Sequence, residues 1–152
     1  MSEEDDRRQI LSYMAQRFGI SQDLFADYLL FRKKKSWFLI RDTDLIQSAS
    51  QLKVTQAGLR AFQRVGDFVK PTTRFIQGFG RFATRAKLHI DMTQLQALLR
   101  DEKIDIDLTL DNGYVILVIG EERVLGLGLY VDGRIGSQLP KKEIRSTMLN
   151  MA

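Results

Sequence analysis

The chain has 152 residues, of which 44% are hydrophobic and 28% charged, with a net charge of +4 and a pI near 9.5. These values suit one packed domain or two small ones and argue against disorder, and the mild basic bias permits a nucleic-acid partner without requiring one. With no cysteine and a single histidine, His89, the chain excludes disulfides and thiol catalysis and speaks against a histidine metal cage or a Ser-His-Asp site.

In chain order, the charged residues 2–8 read as a frayed start or a first helical turn, where acids are favoured. Ile10, Met14 and Phe18, with Leu11 beside them, form one apolar helical stripe that Gly19 ends. Ser21 is expected to cap a second helix buried through Leu24, Phe25, Tyr28 and Leu29. Arg32-Lys33-Lys34-Lys35 then makes a helix-to-strand turn before a strand over Trp37–Ile40. That basic run reads either as a solvated loop or, with Trp37, as a nucleic-acid edge. Asp42 to Ser50 reads as a loop or short helix, and Leu59 to Val65 alternates like a strand. Lys70-Pro71-Thr72-Thr73 is a helix-start signal, leading into Phe75, Ile76, Phe79 and Phe82. Residues 60–87 are the most basic part of the chain, with Asp67 their one acid.

Leu88-His89-Ile90 reads as a short strand, on which His89 is a satisfied or exposed side chain rather than a catalytic one. Asp91 with Gln94 is a capping-box pattern for a helix that buries Leu95, Leu98 and Leu99. Ile104, Ile106, Leu108 and Leu110 alternate with acids, which predicts an edge strand with a solvated face. Tyr114–Ile119 is a continuous apolar run, suited to a strand buried on both faces. Gly120-Glu121-Glu122 is a hairpin turn, Val124–Val131 the next strand, Asp132-Gly133 a tight turn and Ile135–Leu139 a last strand, closed by Pro140 and Lys141-Lys142. Gly126 and Gly128 fall on one face of their strand and leave it bare, either for a packed neighbour or for a ligand. Periodicity and composition together give a mildly basic α+β protein. No apolar run is long enough to cross a membrane and the acidic N-terminus does not read as a signal peptide, so a cytoplasmic protein with no membrane partner is expected.

The segments GYV, VLGLGLY, DG and QLPK between Gly113 and Lys142 resemble the C-terminal core of a PUA domain. That is the small RNA-binding β-barrel of pseudouridine synthases and archaeosine transglycosylases. Within that group the chain looks most like the PUA-like tail of Sun-family RNA cytosine-5 methyltransferases and the small archaeal proteins related to that tail. The opening, with FGI, then WFLI, GLR and KPTT, is similar to the pre-PUA half of small archaeal ribosome-biogenesis proteins. The resemblance implies an N-terminal α/β pre-PUA domain over residues 1–84 and a PUA-type small mixed β-barrel over 85–152.

It also implies a function. Sun-family enzymes join this tail to a catalytic domain with a cysteine nucleophile, and this chain has neither cysteine nor a G-x-G-x-x-G loop after a strand. The expectation is a non-catalytic RNA-binding protein in ribosome biogenesis or rRNA processing and modification, with no cofactor and no metal. Its partner would be ribosomal RNA, with transfer RNA as a second choice, alongside a ribosome assembly factor or RNA methyltransferase. The alternatives are an adaptor that recruits such a factor and, after it, an accessory to tRNA modification. By the resemblance, RNA contacts fall on Arg100, Lys103, Arg134, Lys141, Lys142 and Arg145, with a secondary basic face of Arg74, Arg81, Arg85 and Lys87. PUA domains often carry a glycine in the loop after the first helix, where this chain has Arg100-Asp101-Glu102-Lys103.

Overall fold

A computed structural model describes residues 3–42 and 58–151, an α+β chain with two sheets that divides into two compact units, residues 1–75 and 76–152. The resemblance places the boundary after residue 84. The readings for 43–57 lie outside the described residues. Among the described residues, no helix is long and apolar enough to cross a membrane.

In the first unit, helix α1 (Glu3–Phe18) buries Ile10, Leu11, Met14 and Phe18 as its spacing predicts, and Gly19 ends it at φ +66°. Its first turn is held in place. Arg7 donates from Nη1 to the Tyr28 carbonyl at 2.9 Å and from Nη2 to the Phe25 carbonyl at 2.6 Å. Buried Asp6 accepts from the indole Nε1 of Trp37 at 3.1 Å.

The expected second helix is reduced to a single 3-10 turn, Gln22–Phe25, which Ser21 does cap. Tyr28 and Leu29 belong instead to strand β1 (Tyr28–Lys33). Two causes are visible. Arg7 takes carbonyls that a helix would need for itself, and β2 (Ser36–Arg41) offers β1 six register partners. Tertiary pairing thus overrides local spacing. In consequence the Arg32–Lys35 run ends β1 and makes the hairpin turn at Lys34-Lys35, not a helix-to-strand turn. β3 (Leu59–Val65) and β4 (Phe68–Pro71) complete an antiparallel sheet of order β1-β2-β3-β4. β4 is a strand that the sequence reading did not separate from the helix start. Thr72 accepts from the amide of Phe75 at 3.2 Å and opens helix α2 (Thr73–Phe79). Phe75 packs on Phe62, with ring centroids 4.7 Å apart, and on Phe25 at 5.8 Å.

In the second unit a 3-10 turn (Gly80–Phe82) precedes β5 (Lys87–Ile90) and α3 (Met92–Leu99). There follow β6 (Ile104–Asp105), β7 (Gly113–Ile119), β8 (Arg123–Val131), β9 (Arg134–Ser137) and α4 (Lys141–Met151). The sheet order is β5-β7-β8-β9-β6, with β5 parallel to β7 and the other pairs antiparallel. Val115 to Ile119 are all buried, as a strand covered on both faces requires. The two glycines of β8 have separate uses. Gly126, at φ +153°, faces Leu117 where the β7–β8 register slips by one residue, and such a bulge bends the sheet. A Cβ on Gly128 would stand 2.8 Å from Ile135 Cγ2 and 3.2 Å from Leu117 Cδ1. Its bare face is therefore filled by packed neighbours, the first of the two readings.

Two expectations fail here. The acidic strand is paired only over Ile104–Asp105, since β9 is short and Thr109 turns at φ +54°. Beyond it the segment rests on Ile106 N to Gly133 O (2.8 Å) and Leu108 N to Tyr130 Oη (3.1 Å). Burial still alternates from Ile104 to Leu110 as the pattern predicts. Second, regular structure does not end with the strand that Pro140 closes: Pro140-Lys141-Lys142 also starts α4, because proline is as suited to a helix start as to a strand end. The Pro140 carbonyl accepts from Ile144 N at 3.0 Å, and Ile144 is buried.

Candidate functional site

The six cations implied by the resemblance all lie in the second unit, around the C-terminal end of α3, β9 and the start of α4. Helix α3 begins with the capping box, Gln94 N to Asp91 Oδ1 at 2.7 Å and Asp91 N to Gln94 Oε1 at 2.9 Å. Its C-terminal end fixes the loop. Glu102 N reaches Ala97 O at 3.0 Å and Asp101 N reaches Leu98 O at 3.1 Å, with Asp101 at φ +63° between them. This paired closure needs a left-handed residue, normally glycine, and aspartate is among the few others that enter that region. The loop therefore adopts the backbone of a glycine-bearing turn with an aspartate at the position.

That aspartate is used. Its carboxylate accepts an ion-paired hydrogen bond from Lys141 Nζ at the first turn of α4. Arg100 pairs with Glu102 at 3.1 Å, and Arg134 on β9 pairs with Asp105, its register partner on β6, at 2.8 Å. Arg145 donates from Nη2 to the Leu99 carbonyl at 2.8 Å, satisfying one of the helix-end carbonyls of α3. Lys103 runs its alkyl stem beside Gly136, with Cε 3.9 Å from where a Cβ would stand. Lys142 is exposed. Of these groups Lys103, Arg134 and Asp101 line a cleft of about 430 Å³, together with Asp132, Leu129 and Gln138 among others.

The carboxylates Asp101, Glu102 and Asp105 are the site residues that sequence reasoning missed as partners. Of the three pairs, only Arg100 with Glu102 joins residues near one another in sequence. Asp101 and Lys141 are far apart in sequence and meet because α4 exists.

The secondary face draws on both units. Arg74 falls in the first unit. In the second, Lys87 is largely enclosed and its Nζ is held by Glu122 at 3.0 Å and by the Arg81 carbonyl at 3.4 Å. The Arg81 guanidinium lies over the Phe82 ring, 4.7 Å from its centroid. Trp37, read as one member of a nucleic-acid edge, is buried with its N–H committed to Asp6, so its ring cannot stack on a base. His89 is exposed. Among the described residues no group of three or more histidine, aspartate or glutamate side chains is arranged to hold a metal ion. No protein-family model matches the chain, and no curated protein is significantly similar to it.

Proposed function

We propose that the chain is a non-catalytic RNA-binding protein of the pre-PUA plus PUA kind, acting in ribosome biogenesis or rRNA processing and modification. It binds structured ribosomal RNA through the second unit, with Lys103, Arg134, Lys141 and Lys142 around the cleft as phosphate contacts. The observation that carries this reading is the α3–β6 loop, whose left-handed Asp101 gives the backbone a glycine-type turn beside a cleft to which Lys103 and Arg134 contribute. The mixed five-stranded sheet supports the PUA-type barrel. Arg100 and Arg145 belong to the site's framework, and no residue is assigned to catalysis or to a cofactor. Phosphate contacts of this kind position RNA without reading its sequence.

The test is crosslinking and sequencing of RNA from cells carrying the wild-type chain or Lys103→Glu/Lys142→Glu. One ribosomal RNA region is expected to be enriched, and lost in the variant. In vitro the variant's log–log salt slope should flatten by about 2, roughly one per phosphate contact. Enrichment of transfer RNA instead moves the protein to tRNA modification. A second reading has its own support: Arg100, Arg134 and Lys141 already face carboxylates, which leaves a nearly neutral surface suited to a protein partner. On that adaptor reading no RNA is enriched, and captured partners survive nuclease treatment.

A further inference from the structure

The antiparallel order of the first sheet brings the β1–β2 and β3–β4 hairpin tips to the same end. Lys33 faces Ser36, Ser36 faces Gln63, and Gln63 faces Lys70, so these four side chains form one row across one face. Val65 and Phe68 oppose each other one row nearer the tips on that face. Phe68 is 74% exposed and Val65 46%, whereas Trp37 and Phe62, on the other face, are buried in the core. Lys34 and Lys35 form the two-residue turn between β1 and β2, with Lys34 at φ +57°.

Folding explains little of this. A two-residue hairpin turn is best served by asparagine and glycine, not by a pair of lysines of which one, Lys34, is held at positive φ. Edge strands are ordinarily protected from exposed apolar side chains, and among the described residues β4 is an edge strand that presents Phe68. Asp67 is the one acid between Val65 and Lys70, against Lys33, Lys34, Lys35 and Lys70. Such separate cations beside a single open ring match an unpaired polynucleotide, whose phosphates follow the cations and whose base covers the ring. A duplex would engage the lysines and leave Phe68 unused. A membrane surface would need a broader apolar area than Val65 and Phe68 supply.

We propose that this end of the first sheet binds an unpaired nucleic-acid strand, with phosphates on Lys33, Lys34, Lys35 and Lys70 and a base stacked on Phe68. The site is distinct from the cleft of the second unit and does not rest on its assignment. The test uses the full chain and fluorescence anisotropy with labelled oligouridine, in a Lys103→Glu/Lys142→Glu background so that the second unit's contribution is removed. Phe68→Leu is expected to weaken binding about tenfold, while Phe68→Tyr retains it, since one stacked base accounts for an effect of that order. Lys33→Glu/Lys34→Glu/Lys35→Glu should flatten the salt slope by about 2, near 0.7 per phosphate on a single strand. Binding that is indifferent to both Phe68→Leu and the triple variant overturns the proposal. So does Phe68-dependent binding to phosphatidylserine vesicles with none to oligouridine.

Discussion

The molecule holds its cations in two different ways. In the second unit three of the candidate-site cations face carboxylates: Arg100 with Glu102, Arg134 with Asp105, Lys141 with Asp101. In the first unit the guanidiniums of Arg32 and Arg64 lie over Trp37, 5.3 and 5.8 Å from its centroid. A π face orients a cation without neutralising it. A carboxylate orients it and cancels its charge, so an incoming phosphate must share or displace the acid. How a cation is held therefore decides how much of its charge remains for a ligand. Net charge counted along the sequence cannot separate the two cases.

The largest expected effect breaks the first arrangement at its anchor. Trp37→Ala removes a fully buried ring, leaves the buried Asp6 carboxylate without its indole donor and releases both arginines. A loss of about 3–5 kcal/mol is expected, as for other aromatic truncations in cores. Chemical denaturation of the full chain measures it. A loss below about 1 kcal/mol would mean that Trp37 is not the support of the first sheet.

That residue also shows what could be read from the sequence. Its strand was legible because Trp37–Ile40 is a plain apolar run, but its partner was not, because Asp6 lies in a charged stretch that looks solvated. The same division runs through the fold. The capping box at Asp91, the apolar stripe of α1 and the run of β7 are local patterns, and each forms where expected. β1 and α4 involve groups distant in sequence, namely Arg7 for the one and the Leu99 carbonyl reached by Arg145 for the other. Spacing alone favoured a helix for Tyr28 and gave no reason to extend structure beyond Pro140. Of the candidate site, the cations and the two loop carboxylates were visible, but the pairing of Asp101 with Lys141 and of Asp105 with Arg134 was not.

A smaller effect sharpens the contrast from the side of the second unit. Asp101→Gly suits the φ of +63° better than aspartate does, and it releases Lys141 from its ion pair. An exposed pair contributes about 0–1 kcal/mol, and the backbone relief is of similar size, so stability should change by less than about 1 kcal/mol. RNA binding should respond more: affinity rises at low salt, and the log–log slope steepens by about 1 as one further cation becomes available. Titration of a structured RNA at several salt concentrations reads both quantities. An unchanged slope would show that Lys141 does not meet phosphate.

The smallest effect concerns Lys70, whose amine burial holds below its ordinary value of 10.5. Between that lowered value and 10.5 the unfolded chain binds more protons than the folded one, so stability rises with pH through this window. Tyr114, in the second unit, works the other way. Burial raises its hydroxyl above 10.0, so past that pH the unfolded chain releases a proton the folded chain keeps, and stability falls. Lys70→Gln removes the first contribution and leaves the second. In urea unfolding followed from neutral pH upward, the variant's stability relative to wild type should be most favourable at neutral pH. The difference should then shift against the variant as pH approaches the ordinary lysine range. A difference constant with pH would mean that the Lys70 charge is not desolvated in the fold. The proposed strand-binding end would then hold an ordinary surface lysine there, rather than one kept charged against a burial penalty.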